Sequence, residues 1–500
     1  MPASALRQQI PGEWEAVESS DRRHRRTVLM IVGAGILALL LRFPFVFTGL
    51  SPDEGGYAYV ARQWSHGAQL YGADWLDRPQ GLLLTYRFLL WLNGSGWTIR
   101  VGMMVAGATV SLLLGVIGWR LAGRRTGVLA AFLYAIIGVA PHLEGTTLNG
   151  ELLASVPATA AVAAALLWRG SRTAWWLLAA GASAGVALTM KQSGVDGVVA
   201  GLTIVLATNG PRLRNAITFL VAVAVPVGAC VADGWYLGLS RYWSAMAGYQ
   251  IDAMGTSASN LGTRWHLFAH SFGVVALDLT LVATVAAFGF RVLSRFGRLV
   301  VGGWLAACFV GVNLGGAYWP HYYMQPLVPL TMLAAVAAGA YSIRLVRLAT
   351  VAIVALPTVI WLATLVVIGP QERQEAIPYY GFDLRSEQIA SAVDELTAPS
   401  QRIYVFVASP AIYFLAHREA SYPYLWGYPI RKIPSALPLL RSMLAGADRP
   451  AVVVMQTPNP DSIDPTGVIG RDLRRYYESA EIVGGVRILR ADVIRPRPVP

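Results

Sequence analysis

Long apolar runs separated by short clusters of Arg, Gly and Pro dominate the first 370 residues. An α-helix needs about 20 apolar residues to cross the hydrocarbon core of a bilayer. Eleven segments answer that description, near 27–49, 99–119, 126–141, 150–168, 174–190, 195–209, 215–235, 266–290, 299–317, 325–342 and 348–369. The first follows Arg22, Arg23, Arg25 and Arg26, is too long for a signal-peptide core and lacks a small-residue cleavage site, so it reads as a retained span. After residue 370 the pattern changes to short apolar runs, Ile403–Val407 and Ala451–Met455, between helical patterns near 385–397 and 468–477. Such alternation predicts a small α/β domain over residues 371–500. Its Pro-rich end, Arg495–Pro500, is expected to fray. The fold class is thus a polytopic α-helical membrane protein of about eleven spans carrying a C-terminal α/β domain.

Composition removes several alternatives. With 55% of 500 residues apolar and only 14% charged, the chain is neither an ordinary soluble enzyme nor disordered. Cys230 and Cys308 both lie in apolar stretches, which leaves no disulfide framework and no thiolate metal site. The formal charge of +12 sits almost wholly in residues 27–370, where Lys and Arg number 20 against 10 acids. That location points to membrane orientation and not to a nucleic-acid partner. If the N-terminal tail, 1–26, is cytoplasmic, the inner loops hold Arg120, Arg124, Arg125, Arg169, Arg172, Arg212, Arg214, Arg291, Arg295, Arg298, Arg344 and Arg347 and no acid. This is the positive-inside pattern. An odd number of spans then puts residues 371–500 outside the cytoplasm, and every acid of the membrane part lies in an outward loop or a span. Chemistry is expected on the extracytoplasmic side of the cell membrane, among membrane lipids. No phosphate-binding Walker loop is present, which disfavours direct use of ATP or a nucleotide sugar.

The first outward loop, 50–98, carries the strongest signal. It reads Ser51-Pro52-Asp53-Glu54-Gly55-Gly56-Tyr57 and, further on, Asp77-Arg78-Pro79. Ser51, Pro52 and Glu54 form a capping box that starts a helix. Tyr57, Val60 and Trp64, three and four residues apart, are expected to lay one side of that helix on the bilayer surface. Capping accounts for Glu54 and leaves Asp53 over. A carboxylate in a first helical turn is favoured as the anion and is able to accept a proton.

With Arg42 near the outer end of the first span, these residues resemble the GT-C glycosyltransferases. The closest likeness is to bacterial relatives of the protein O-mannosyltransferases and of the aminoarabinose-to-lipid A transferases. Glu144-Gly145-Thr146-Thr147-Leu148-Asn149-Gly150-Glu151 is similar to the second acidic loop of that superfamily, Lys191-Gln192-Ser193-Gly194 to its Lys-Gln step, and Trp319–Gln325 to its aromatic loop before a late span. Arg78-Pro79-Gln80 departs from the frequent Lys-Pro-Pro. The resemblance implies an inverting enzyme that moves a sugar from a polyprenyl-phosphate donor to an extracytoplasmic acceptor, a glycan, a lipid or a protein. Asp53 and Glu54 become the candidate catalytic residues.

Each further residue has a role set by that chemistry and a plainer one. Arg78 suits phosphate, because a guanidinium offers a planar fork of donors, though an interfacial Arg also snorkels to headgroups. Lys191, the single lysine of the membrane part, is a second phosphate candidate and equally a snorkelling helix end. His321 is a third, among Trp319, Tyr322 and Tyr323 that also read as an aromatic belt. Tyr57 and Tyr322 join the substrate-binding set. Glu151 is the candidate ligand for a divalent cation, while Glu144 reads at least as well as structural; two carboxylates do not complete a coordination sphere, so metal dependence stays open. A lipid-carrier polymerase or ligase is the runner-up among enzymes, and a transporter or flippase is the alternative outside them. The acids gather at one membrane face, which disfavours the transporter.

Overall fold

The computed structural model of the protein describes residues 11–252, 261–314, 316–369, 372, 384–407, 409–457 and 459–492. The tail Arg495–Pro500 and part of the aromatic loop between residues 235 and 264 lie outside the described residues. Thirteen helices make up the membrane part as described: α1 Pro11–Arg42, α2 Pro52–Ser65, α3 Gln80–Asn93, α4 Gly96–Ala122, α5 Arg124–Ile137, α6 Gly150–Ser171, α7 Ala174–Met190, α8 Asp196–Leu206, α9 Arg212–Trp243, α10 Leu261–Val292, α11 Arg295–Leu314, α12 Met324–Ala340 and α13 Arg344–Val367. Each of the eleven apolar segments carries one of them. Among the described residues eight helices are long and apolar enough to cross a membrane: α1, α4, α6, α9, α10, α11, α12 together with the turn Pro320–Tyr323 that leads into it, and α13. The other three, α5, α7 and α8, are shorter, at 14, 17 and 11 residues. The loops after α5 and α7 bring Glu144 and Lys191 to the site described below.

Helix α12 is the centre of the bundle, buried along nearly its whole length against α5, α6 and α10. Helix α1 packs on α4 and α5, and α7 lies between α6 and α9. At the end of α1 the buried Arg42 donates from Nη2 to the carbonyl of Gly138, 2.6 Å away, which pins the start of the loop after α5. Helix α9 bends at Gly238, where φ is +110°, a value glycine adopts without strain. The chain beyond the bend reaches Met246–Ile251, part of the site wall.

Helix α2 departs from its expected place. Tyr57 and Val60 do not face lipid; residues Glu54–Ala61 are all buried. The reason is a close approach by the C-terminal region. A Cβ on Gly55 would lie 2.3 Å from the Cβ of Ala411, and one on Gly56 2.5 Å from the ring of Trp426. Two successive glycines therefore let a second layer of protein sit directly on the first turn of α2. An exposed apolar face is found on α3 instead. Leu84, Phe88, Trp91 and Leu92 recur at helical spacing and are all exposed, an apolar face suited to the acyl boundary.

The C-terminal region carries α14 Leu384–Leu396, β1 Ile403–Phe406, α15 Ala436–Ala445, β2 Val452–Met455, α16 Val468–Tyr476, β3 Tyr477–Val483 and β4 Val486–Ala491, with short helical turns at Ala411–Leu415 and Gly427–Lys432. Its mixed sheet has the order β1-β2-β4-β3; β1 and β2 are parallel, with Ile403 opposite Val452, and the other neighbours are antiparallel. The parallel pair β1 and β2 is buried on both faces, which explains their unbroken apolar runs. Asp464 locks one loop by accepting from the backbone of Thr466 and Ile469 and from the Arg441 guanidinium at 2.5 Å. This layer is fastened to α2 by Arg62, which donates to the carbonyls of Tyr413 and Phe414 at 3.1 and 3.0 Å, and by Tyr59, whose oxygen accepts from Ala420 N.

Candidate active site

The capping box is present: Ser51 Oγ accepts from Glu54 N at 3.3 Å, and Ser51 N donates to Glu54 Oε2 at 2.9 Å. Glu54 is fully buried and does more than cap. Its Oε1 accepts from Leu148 N at 2.8 Å, and its Oε2 lies 3.1 Å from Nη2 of the fully buried Arg100. Arg100 also donates to the carbonyls of Gly49 and Thr146. The pair therefore clamps the end of the first span, the start of α2 and the loop after α5 to one another. Sequence reasoning placed Glu54 beside Asp53 as a catalytic candidate; the structure puts it behind the cavity wall with both oxygens engaged. Asp53, one residue earlier, points the other way. Its Oδ1 accepts from Trp426 Nε1 at 2.9 Å, and Tyr57 OH lies 3.5 Å from its Oδ2.

Facing Asp53 across the same cavity are cationic groups. Arg78 is held from several sides: Tyr71 OH donates to its carbonyl at 3.0 Å, Gln192 Nε2 to the carbonyl of Asp77 at 2.8 Å, and Gln250 Nε2 to the Asp77 carboxylate at 2.9 Å. Arg78 Nη1 is 2.7 Å from Asp77 Oδ1, while its buried Nε has no partner among the described residues. Lys191, at the end of α7, is buried and not snorkelling; its Nζ pairs with Glu151 and sits 3.9 Å over the ring of Tyr322. His321 connects the two acids of the second loop, with Nδ1 2.9 Å from Glu144 and Nε2 3.8 Å from Glu151. Burial raises the Glu144 carboxyl above its usual range, against the opposing pull of His321.

Asp53, Tyr57, Arg78, Glu144, Lys191, His321 and Tyr322 all line one cavity of about 530 Å³. Glu151 lies behind Lys191, and the ammonium occupies the place that a cation ligated by Glu151 would need. Among the described residues no group of three or more His, Cys, Asp or Glu is arranged to hold a metal ion. The remaining wall combines aromatic and apolar residues, Trp75, Tyr249 and Trp319 in the membrane part and Pro410, Trp426 and Tyr428 in the C-terminal region, with polar ones such as Asp77, Gln192, Gln250 and Arg431.

Residues 77–232 match the sequence pattern of the family described as dolichyl-phosphate-mannose-protein mannosyltransferase. No curated protein matches the chain in sequence. In three dimensions the chain superimposes on ArnT from Cupriavidus metallidurans bound to undecaprenyl phosphate, with a TM-score of 0.61 at 15% identity, over 92% of this chain and 97% of that one. The same protein in its apo state gives 0.64 over the same shares, also at 15% identity. The archaeal oligosaccharyltransferase AglB from Archaeoglobus fulgidus, in complex with an inhibitory peptide and a dolichol-phosphate, gives 0.56 at 12% identity, over 95% of this chain and 75% of that one. The fold is GT-C.

Within this GT-C fold the short motifs fall together as a site, whereas their supports come from far along the chain. Arg100, 46 residues from Thr146, and Trp426, 373 residues from Asp53, were not picked out from sequence. Arg100 carried one signal that was available, an ionisable residue near the start of a span, where burial demands a partner. Trp426 carried none, because its contact depends on how the C-terminal region docks.

Proposed function

We propose that the protein is an inverting glycosyltransferase that moves a sugar from a polyprenyl-phosphate carrier to an acceptor hydroxyl on the extracytoplasmic side of the cell membrane. The observation that carries this reading is that the Asp53 carboxylate lines the same cavity as the cationic side chains of Arg78 and Lys191. The reaction is a single displacement. Asp53 takes the proton from the acceptor hydroxyl while that oxygen forms its bond to the anomeric carbon. The bond from that carbon to the phosphate oxygen breaks, and its electron pair leaves with the polyprenyl phosphate. Phosphate departs without a proton donor if cations surround it, and the free Nε of Arg78 and the ammonium of Lys191 are preorganised for that purpose. Positive charge held in a water-poor site stabilises the departing dianion more than it would in bulk water.

Helix α3, with its apolar face at the membrane surface, begins immediately after Arg78-Pro79, so a phosphate at Arg78 leaves its polyprenyl chain next to lipid. The lipid-linked ligands named for ArnT and AglB support a carrier of this class. The reading is tested with purified protein in liposomes supplied with undecaprenyl-phosphate mannose or undecaprenyl-phosphate aminoarabinose and a cell-envelope extract as acceptor. Release of undecaprenyl phosphate coupled to acceptor labelling is the expected result; binding of both donors without any transfer would overturn it.

A further inference from the structure

The catalytic candidate Asp53 and the C-terminal region meet at one hydrogen bond, and it is a directed one. Trp426 Nε1 donates to Asp53 Oδ1 at 2.9 Å, and the Trp426 ring lies 5.8 Å from that of Tyr57, the second neighbour of the same carboxylate. An indole has one donor and no acceptor, so this contact favours the carboxylate and fixes one of its oxygens. Among the described residues the other oxygen has only the long contact to Tyr57, and Asp53 lines the cavity. Trp426 itself is held in place by the Gly56 surface, where nothing larger than hydrogen fits between the helix and the ring.

We infer that Trp426 is a positioning residue for the general base, so that the active site is complete only when the C-terminal region is docked on α2. This rests on the reading of Asp53 as the base. The indole N–H orients the carboxylate with one oxygen left for the acceptor proton. The seam around it is built to hold: Arg62 reaches the carbonyls of Tyr413 and Phe414, and Trp75 N donates to the carbonyl of Pro423 at 3.2 Å. The C-terminal region thereby acts on the chemical step.

The test is Trp426→Phe, which keeps a ring against Gly56 and Tyr57 and removes only the donor. Undecaprenyl phosphate binding should stay within about two-fold, whereas the transfer rate should fall about ten-fold, because a donor aimed at a reacting group contributes to turnover and not to carrier affinity. The other ionisable groups facing Asp53 are unchanged in that variant: Tyr57 on α2, Asp77 and Arg78 before α3, Glu144 after α5, Lys191 after α7 with Glu151 behind it, His321 and Tyr322 before α12, and Tyr428 and Arg431 in the C-terminal region. In an Asp53→Asn background the same substitution should cost nothing further in rate, since it acts through that carboxylate.

An unchanged transfer rate in Trp426→Phe, beside lost transfer in Asp53→Asn, would refute the role of Trp426 while leaving the base intact. Normal transfer in Asp53→Asn would remove the base and this role with it. If Trp426→Phe does not fold, protein labelled with 15N at its indoles decides the matter: an indole N–H resonance should move between the wild type and Asp53→Asn, and a spectrum with no such movement overturns the inference.

Discussion

Arg78 and Glu54 separate the two kinds of charge in this site. Arg78→Ala should weaken undecaprenyl phosphate binding by about 1.5 to 3 kcal/mol, a charge-assisted contact, and Arg78→Lys should recover part of it because charge returns without the fork geometry. Unchanged carrier affinity in Arg78→Ala, measured by fluorescence titration, would remove the phosphate role. Glu54→Gln should act on stability instead. Gln still completes the capping box, but Arg100 loses its countercharge in a fully buried setting, which costs about 3 kcal/mol or more. The expected outcome is a lower melting temperature with near-normal turnover per folded molecule; the reverse would return Glu54 to the chemistry. Asp53 and Arg78 were legible in the sequence because each lies in a short motif with a local reason for its charge. The capping box already set Glu54 apart from Asp53 in the sequence, but their partners Arg100 and Trp426 were not legible, since neither is near them in the chain.

At the scale of elements, α2 is the hinge between the membrane bundle and the outer layer. Sequence periodicity foretold a helix there and gave it a membrane-facing side; Gly55 and Gly56 reverse that, because their missing side chains admit Ala411 and Trp426. The lipid-facing role passes to α3, whose apolar stripe was visible in the sequence but lay in a segment read as loop. Beside this seam, burial pushes the Asp74 carboxyl from 3.8 up to about 6, partly offset by a hydrogen bond with Tyr59. A raised carboxyl means that the folded state binds the proton more tightly than the unfolded one. Its stabilising contribution is complete below about pH 4 and is lost as pH rises through about 6, a change of about 3 kcal/mol. Asp74→Asn stays neutral throughout and should flatten the dependence between pH 4 and 6. Thermal melts across that window check this; parallel curves for wild type and variant would show that Asp74 does not titrate there.

Across the whole molecule, charge and chemistry occupy opposite ends. Asp53, Arg78 and Lys191 lie at the ends of helices that, on the topology proposed, face away from the cytoplasm, whereas Arg120, Arg169 and Arg172 lie at the far ends of α4 and α6. Reporter fusions at Gly123 and Asn209 should therefore signal cytoplasmic and one at Ala420 extracytoplasmic; an outward signal at Gly123 would invert the site's location. The bundle was legible because hydropathy alone specifies membrane helices. The assembly of the site was less so, since it draws on five loops and on a C-terminal layer whose docking no local pattern encodes. The central claim is that Asp53 removes the acceptor proton during transfer from a polyprenyl-phosphate sugar. The most direct measurement compares wild type with Asp53→Asn in liposomes, following undecaprenyl phosphate binding and sugar transfer in the same preparation. Binding should persist while transfer falls by about 10² to 10⁴, the usual contribution of a general base; near-normal transfer by well-folded Asp53→Asn would contradict the account.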